Sequence, residues 1–103
     1  MADDGLPALV LSVLQRAGWQ AARIQAGMAH GGRMRLAPGG WPDVVALSPW
    51  GEVVLPECKS RDGVLSKGQR AFRAWCEAHG YRYVVVRSVE DVARLVERRG
   101  GAP

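Results

Sequence analysis

The chain has 103 residues, 48% of them hydrophobic and 23% charged, as in ordinary globular domains. A chain of this length can bury one core unaided, so we expect a single domain over residues 1–103. No apolar run approaches the roughly 18 residues of a membrane span. Asp3 and Asp4 precede the first apolar segment, where a signal peptide would carry basic residues. We therefore expect an intracellular protein with no membrane partner.

The net charge is +4, and 12 of the 14 basic residues are arginine. Guanidinium groups suit phosphate, which makes nucleic acid a candidate partner without requiring it. The two cysteines, Cys58 and Cys76, are too few for a disulfide framework and are expected to stay reduced. A metal half-site of Cys76 and His79 with Cys58 or His30 remains an alternative, although no second spaced pair supports it.

The hydrophobic pattern predicts eight elements in the order α-β-β-β-β-α-β-α. The first is an amphipathic helix over Leu6–Ala17, ended by Gly18. A weak strand follows over Trp19–Ala26, then a glycine-rich loop over Gly27–Gly32 and a short strand over Arg33–Ala37.

The stretch from Trp41 to Ser60 predicts an antiparallel hairpin, because two apolar, β-branched runs flank the connection Pro49–Gly51. With Trp50 at the tip, opposed residues have numbers that sum to 100. Both faces of the hairpin are apolar near the turn, so we expect helices on both sides. Pro56 lacks a ladder donor and predicts a bulge or a non-bonding position.

This register places Asp43 directly opposite Glu57, with Cβ atoms about 4.5–5.5 Å apart. Two carboxylates in that arrangement repel each other unless a cation lies between them, and Mg²⁺ prefers such oxygen ligands. Strand alternation puts Lys59 on the same face as Glu57 and Cys58 on the other. The open end of the hairpin therefore predicts a metal-dependent site.

A loop over Arg61–Leu65 leads into a helix from Ser66 to Gly80, where Ser66 and Gln69 form a capping box. Its apolar stripe, widened by Trp75, is expected to consist of Leu65, Gln69, Phe72, Cys76 and His79.

The last two predicted elements are a strand over Tyr81–Arg87 and a helix capped by Ser88. Glu90 and Asp91 lie in the first turn of this helix, and Arg98 and Arg99 in its last, as the helix dipole favours. The tail is Gly100–Pro103.

Three motifs taken together, Gly40–Asp43, Glu57–Lys59 and Gly63–Gln69, resemble the VRR-NUC domain, a branch of the PD-(D/E)XK nuclease superfamily. The likeness covers nearly the whole chain and is greatest to compact, stand-alone members of virus or phage type. It implies an α/β fold, a three-layer α/β/α restriction-endonuclease-like sandwich with a mixed central β-sheet.

The resemblance also implies a DNA endonuclease that hydrolyses phosphodiester bonds with Mg²⁺ or Mn²⁺. Asp43, Glu57 and the backbone carbonyl of Cys58 would then ligate the metal. Lys59 would orient or acidify the attacking water, and Gln69 would line the site. A homodimer cutting opposite strands of branched, Holliday-junction-like DNA is implied as well, in the cytoplasm of a bacterial or phage-infected cell.

Several basic residues are candidate contacts to branched or duplex DNA, or alternatively solvated surface charges. They are Arg33, Arg35, Arg61, Lys67 and Arg70. Asp43 could instead form an Asx turn, Gln69 could serve only as a cap, and Trp41 and Trp50 could stack on bases or pack in the core. The alternative functions are a non-cleaving nucleic-acid-binding module with this fold and an interaction domain without a nucleic-acid role.

Overall fold

The structure, a computed structural model, describes residues 5–24, 28–29, 34–35 and 40–97. Within these residues the elements are α1 (Gly5–Arg16), β1 (Gln20–Arg23), β2 (Met28–Ala29), β3 (Met34–Arg35), β4 (Val44–Leu47), β5 (Val53–Cys58), α2 (Lys67–Ala78), β6 (Arg82–Val86) and α3 (Val89–Val96). No helix in this part of the chain is long and apolar enough to cross a membrane.

Four strands form a mixed sheet in the order β1-β4-β5-β6. In the hairpin of β4 and β5, Ala46 lies opposite Val54 and Leu47 opposite Val53, so the predicted register is confirmed near the turn. The paired residues do not extend to Asp43 and Glu57, whose direct opposition stays a prediction. β6 runs parallel to β5 along its length. A parallel neighbour requires a crossover connection, which α2 supplies.

Helices cover both faces of this sheet. On one face, α1 and α3 enclose a core of Val10, Leu14, Trp19, Val44, Ala46, Val54, Val86, Val92 and Leu95. On the other face, α2 closes a smaller core of Leu55, Cys76 and Tyr83. Each fully buried aliphatic side chain stabilises the fold by about 1.5–3 kcal/mol. The predicted three-layer sandwich with a mixed sheet is confirmed.

The predicted element order lacks one strand. β2 lies in the segment predicted as a loop and pairs antiparallel with β3, Met28 opposite Arg35 and Ala29 opposite Met34. Glycines on either side of Met28 and Ala29 favour a loop prediction, and two residues are too few to show an alternating pattern. The observed order is α-β-β-β-β-β-α-β-α.

The last helix is shorter than predicted. It ends at Val96, because the backbone of Glu97 is already extended, and Arg94 is the basic residue of its last turn. The prediction that the last turn of this helix contains Arg98 and Arg99 is therefore wrong, because the helix ends before them. Both arginines lie outside the described residues.

Trp75 does not widen the stripe of α2 that faces the sheet, and that detail of the prediction is wrong. Its side chain is 52% exposed. Cys76 is the buried residue of α2, and His79, which was predicted in the stripe, is exposed as well. The ring of Trp75 stacks on His79 with centroids 4.1 Å apart and on Tyr81 with centroids 5.9 Å apart. Trp75 lies beside the stripe, where its ring contacts the rings of His79 and Tyr81.

Gly40 brings the segment before β4 against the start of α2. Its φ is +93°, and a Cβ there would lie 2.5 Å from the carbonyl oxygen of Gly68.

We expect Gly40→Ala to lower the free energy of unfolding by clearly more than the about 1–2 kcal/mol that a left-handed backbone costs an alanine, measured by urea denaturation. Gly51→Ala is the matched control, because Gly51 has a φ of +90° but open space around it. Equal losses in the two variants would contradict the close approach.

Candidate active site

The side chain of Asp43 links β4 to β5 by a hydrogen bond beyond the last backbone pairs of the hairpin. Pro56 has no N–H to donate, and the described ladder between β4 and β5 consists of the pairs Ala46–Val54 and Leu47–Val53. Beyond them, the N–H of Cys58 donates to Oδ2 of Asp43 at 2.8 Å. A side-chain carboxylate thus supplies the acceptor for Cys58 at this end of the hairpin.

Glu57 lies beside this contact and is only 3% exposed. Its Oε2 accepts a hydrogen bond from Nε2 of Gln69 at 2.9 Å and lies 3.8 Å from Nζ of Lys59. Its Oε1 is buried without a hydrogen-bond partner among the described atoms. The structure therefore brings Asp43, Glu57, Lys59 and Gln69 together.

Burial and charge act together on the Glu57 carboxyl group. Burial, followed by the negative charge of Asp43, raises its pKa from 4.5 to about 7. The positive charge of Lys59, the nearby backbone N–H of Asp43 and the hydrogen bond from Gln69 oppose this rise in pKa but do not cancel it. The carboxylate form of Glu57 is therefore destabilised in the protein without a cation.

Gln69 caps α2 and also donates a hydrogen bond to Glu57. Its backbone N–H donates to Oγ of Ser66 at 3.1 Å, and its Oε1 accepts from the N–H of Ser66 at 2.8 Å, which is the predicted capping box. The remaining amide hydrogens are free for Glu57. Capping the helix therefore fixes the orientation in which Gln69 presents its Nε2 to the carboxylate.

An open cleft of about 710 Å³ borders Asp43 and Lys59. It is lined by Gly5, Leu6, Pro7, Arg23, Asp43, Cys58, Lys59, Ser60, Arg61, Gly63 and Arg87. Arg23 and Arg87 were not among the site residues predicted from the sequence. Arg23 ends β1 next to β4, where its partner Val44 directly follows Asp43, so strand order was the missing information.

The predicted DNA contacts are in different places. Arg61 lines the cleft, and Lys67 is exposed at the first turn of α2. Arg70 lines a second cavity, of about 440 Å³, and its Nη1 donates to the carbonyl of Leu65 at 2.8 Å. Arg33 lies outside the described residues, and Arg35 is described only as backbone of β3.

The alternative metal half-site is not assembled from the two cysteines. Cys58 packs against the core under α1 and α3, and Cys76 lies in the core under α2. Burial raises the pKa of the Cys58 thiol to about 12, so it stays protonated. In the described part of the chain, no group of three or more His, Cys, Asp or Glu residues could hold a metal ion. His30 lies outside that part.

The two tryptophans near the hairpin pack on other rings. Trp50 meets Trp19 edge to face with centroids 5.3 Å apart, and its Nε1 donates to Glu52. Trp41 lies on Phe72 with centroids 5.1 Å apart and stays 40% exposed. Trp50 is thus mainly a packing residue.

The mixed sheet between helical layers, with acidic residues at the fork of a hairpin, defines the restriction-endonuclease-like class of α/β fold. A solved structure described as "VRR_NUC domain" is similar to this chain, with a TM-score of 0.73 at 18% sequence identity, over 96% of this chain and 99% of that chain. The predicted resemblance to the VRR-NUC domain is confirmed in the fold. No protein-family model and no curated protein sequence matches the chain.

The raised pKa of Glu57 predicts a stability that depends on pH. The folded protein holds this proton more tightly than the unfolded chain, so the protonated carboxyl group stabilises the fold fully below pH 4.5, and this contribution is lost as pH rises to about 7. In chelator at pH 8, we expect Glu57→Gln to be more stable than the wild type by at most about 3 kcal/mol. Thermal denaturation between pH 4.5 and pH 8 would measure the difference.

The matched control is Glu77→Gln, because Glu77 is an exposed carboxylate on α2. This variant should show no comparable gain at pH 8. At pH 4.5 the advantage of Glu57→Gln should disappear, since the wild-type carboxyl group is then protonated. A Glu57→Gln protein that is less stable than the wild type at pH 8 would contradict the argument.

Proposed function

We propose that this protein is a DNA endonuclease that uses Mg²⁺ or Mn²⁺ to hydrolyse phosphodiester bonds. The observation that carries the proposal is the pair of carboxylates at the hairpin fork. Glu57 is buried beside Lys59, Asp43 is half-buried, and Oε1 of Glu57 has no partner within hydrogen-bonding distance among the described atoms. Burying like charges together destabilises a fold unless a cation compensates them.

The donor atoms at the fork fit a hard divalent cation. Asp43 and Glu57 supply carboxylate oxygens, which Mg²⁺ and Mn²⁺ prefer. Within a strand, the C=O of a residue points to the same side as its N–H. The carbonyl of Cys58 therefore faces the side on which Asp43 receives the N–H. Water and substrate oxygens would complete the coordination, as is usual for Mg²⁺.

Such an ion supplies a Lewis acid for the phosphate and a water of lowered pKa. Side chains of the protein supply the other groups that the reaction needs. Lys59 presents an ammonium group 3.8 Å from Oε2 of Glu57, on the cleft side, where it can orient the attacking water and offset charge on the phosphate. Gln69 holds Glu57 in place through its hydrogen bond.

The cleft beside these residues supports DNA as the substrate. Arg23 and Arg61 line it together with Lys59, and guanidinium groups bind phosphate in a bidentate manner. The other proposed contacts to DNA are Arg33, Arg35, Lys67 and Arg70. Contacts of this kind make affinity fall steeply with salt.

Selectivity for branched, Holliday-junction-like DNA and a homodimeric state belong to the same proposal. Two copies related by a twofold axis would present two sites to opposite strands of a junction. Analytical ultracentrifugation with and without junction DNA tests the oligomeric state. Faster cutting of junction than of linear duplex tests the selectivity.

Metal binding should be measurable without any substrate. At ten times its dissociation constant, Mg²⁺ or Mn²⁺ should stabilise the protein by about 1.4 kcal/mol, a rise in Tm of several degrees for a domain of this size. We expect Asp43→Asn to abolish the rise, because the amide keeps an acceptor for the N–H of Cys58 but loses the negative charge. An undiminished rise in this variant would place the ion elsewhere.

Cleavage is the decisive test of the proposed function. We expect the wild type to cut junction or linear DNA only with Mg²⁺ or Mn²⁺. Asp43→Asn and Lys59→Ala should each lower the rate by at least about a hundredfold, since the first removes a charged ligand of the proposed metal ion and the second a positive charge that acts at the phosphate. A gel assay with end-labelled DNA measures both.

The control for lost charge is Arg82→Ala, because Arg82 pairs with Glu52 at the opposite end of β6. It should cut at nearly the wild-type rate. DNA that is shifted in the gel but never cut would favour the non-cleaving binding module. Neither binding nor cutting would favour an interaction domain.

A further inference from the structure

Arg87 follows β6 directly, and its side chain reaches back to the loop after β5. Its Nη1 lies 2.8 Å from the carbonyl oxygen of Ser60, 3.2 Å from that of Arg61 and 2.6 Å from that of Gly63. Its backbone N–H donates to Oδ2 of Asp91 at 2.8 Å. The residue thus links the loop over residues 60–63 to the end of the sheet and to α3.

That loop is packed against the side chain of Lys59. A Cβ added to Gly63 would lie 3.6 Å from Cδ of Lys59 and 2.9 Å from Oγ of Ser60. The side of Gly63 on which a Cβ would stand therefore faces the aliphatic part of Lys59, with room for about one carbon atom between them. A lysine side chain carries about 2 kcal/mol of rotamer entropy, so a wall beside it restricts where the ammonium group can go.

We propose that Arg87 is a positioning residue that sets the place of the Lys59 ammonium group, an inference that rests on the proposed nuclease function. Arg87 holds the carbonyl of Gly63, Gly63 confines the stem of Lys59, and Lys59 stays near Oε2 of Glu57. The donors of Nη1 are engaged by carbonyl oxygens of the loop.

The competing role for Arg87 is a phosphate contact, since it lines the cleft. The two roles differ in which kinetic parameter changes. A misplaced catalytic group lowers kcat, by up to about a hundredfold for a displacement near 1 Å. A lost phosphate contact raises KM and reduces the slope of log affinity against log salt by about one.

Four variants separate these roles in steady-state cleavage assays with Mg²⁺. Arg87→Met removes the donors and the charge, and Arg87→Lys keeps a charge and three donors. Gly63→Ala disturbs the wall from the other side without changing any charge. Arg82→Met is the control, because it removes an arginine at the far end of the same strand.

We expect Arg87→Met and Gly63→Ala to lower kcat by about tenfold to a hundredfold, with KM changed less than about threefold and the salt slope of DNA affinity unchanged. Arg87→Lys should recover part of kcat, because an ammonium group offers three donors. Arg82→Met should cut like the wild type. The Gly63 amide bonds to the carbonyl of Ser60. Its hydrogen exchange should be faster in Arg87→Met than in the wild type and unchanged in Arg82→Met.

Two kinds of failure are distinguishable. If the wild type does not cut DNA, the proposed function fails and the proposal about Lys59 falls with it. If the wild type cuts DNA but Arg87→Met cuts like Arg82→Met, only the role of Arg87 is overturned. The same holds if Arg87→Met raises KM and reduces the salt slope of DNA affinity while Gly63→Ala cuts like the wild type. Thermal denaturation shows whether Arg87→Met is still folded. If it is unfolded, the kcat values of Gly63→Ala and Arg87→Lys decide whether Arg87 positions Lys59.

Discussion

The candidate site depends on the hydrogen bond from the N–H of Cys58 to the carboxylate of Asp43. Pro56 takes one donor out of the ladder two residues earlier, which lets β4 and β5 separate while still sharing a core. Without that separation, a backbone carbonyl would occupy the place of Asp43. Because the Asp43 carboxylate accepts from the backbone of β5, its side chain is held beside the strand that carries Glu57.

The hairpin was predictable because its information is local. Alternation of apolar residues about Trp50 sets the register, which the pairs Ala46–Val54 and Leu47–Val53 confirm. The same counting anticipated that Glu57 and Lys59 would meet and that Ser66 and Gln69 would form a capping box. In each case the interacting residues lie on one strand, one hairpin or one helical turn.

What could not be predicted is set by packing between distant segments. Arg23 reaches the cleft because β1 pairs with β4, and Arg87 reaches the loop over residues 60–63 because β6 pairs with β5. Neither pairing leaves a periodic signal in the sequence. Trp75 fits the apolar stripe by spacing alone, but its position depends on where the rings of His79 and Tyr81 lie.

At the fork, several contributions favour the carboxylate form of Glu57 and two oppose it. Gln69 is in the first turn of α2 and donates to Glu57, so the positive end of the helix dipole, worth about 0.3–1 kcal/mol, favours the carboxylate. Lys59 favours it as well. Burial and the charge of Asp43 still prevail, since the pKa of Glu57 is raised to about 7. The chain's own positive groups therefore compensate only part of the negative charge, and a divalent cation is the kind of ligand that would compensate the remainder while serving phosphate chemistry.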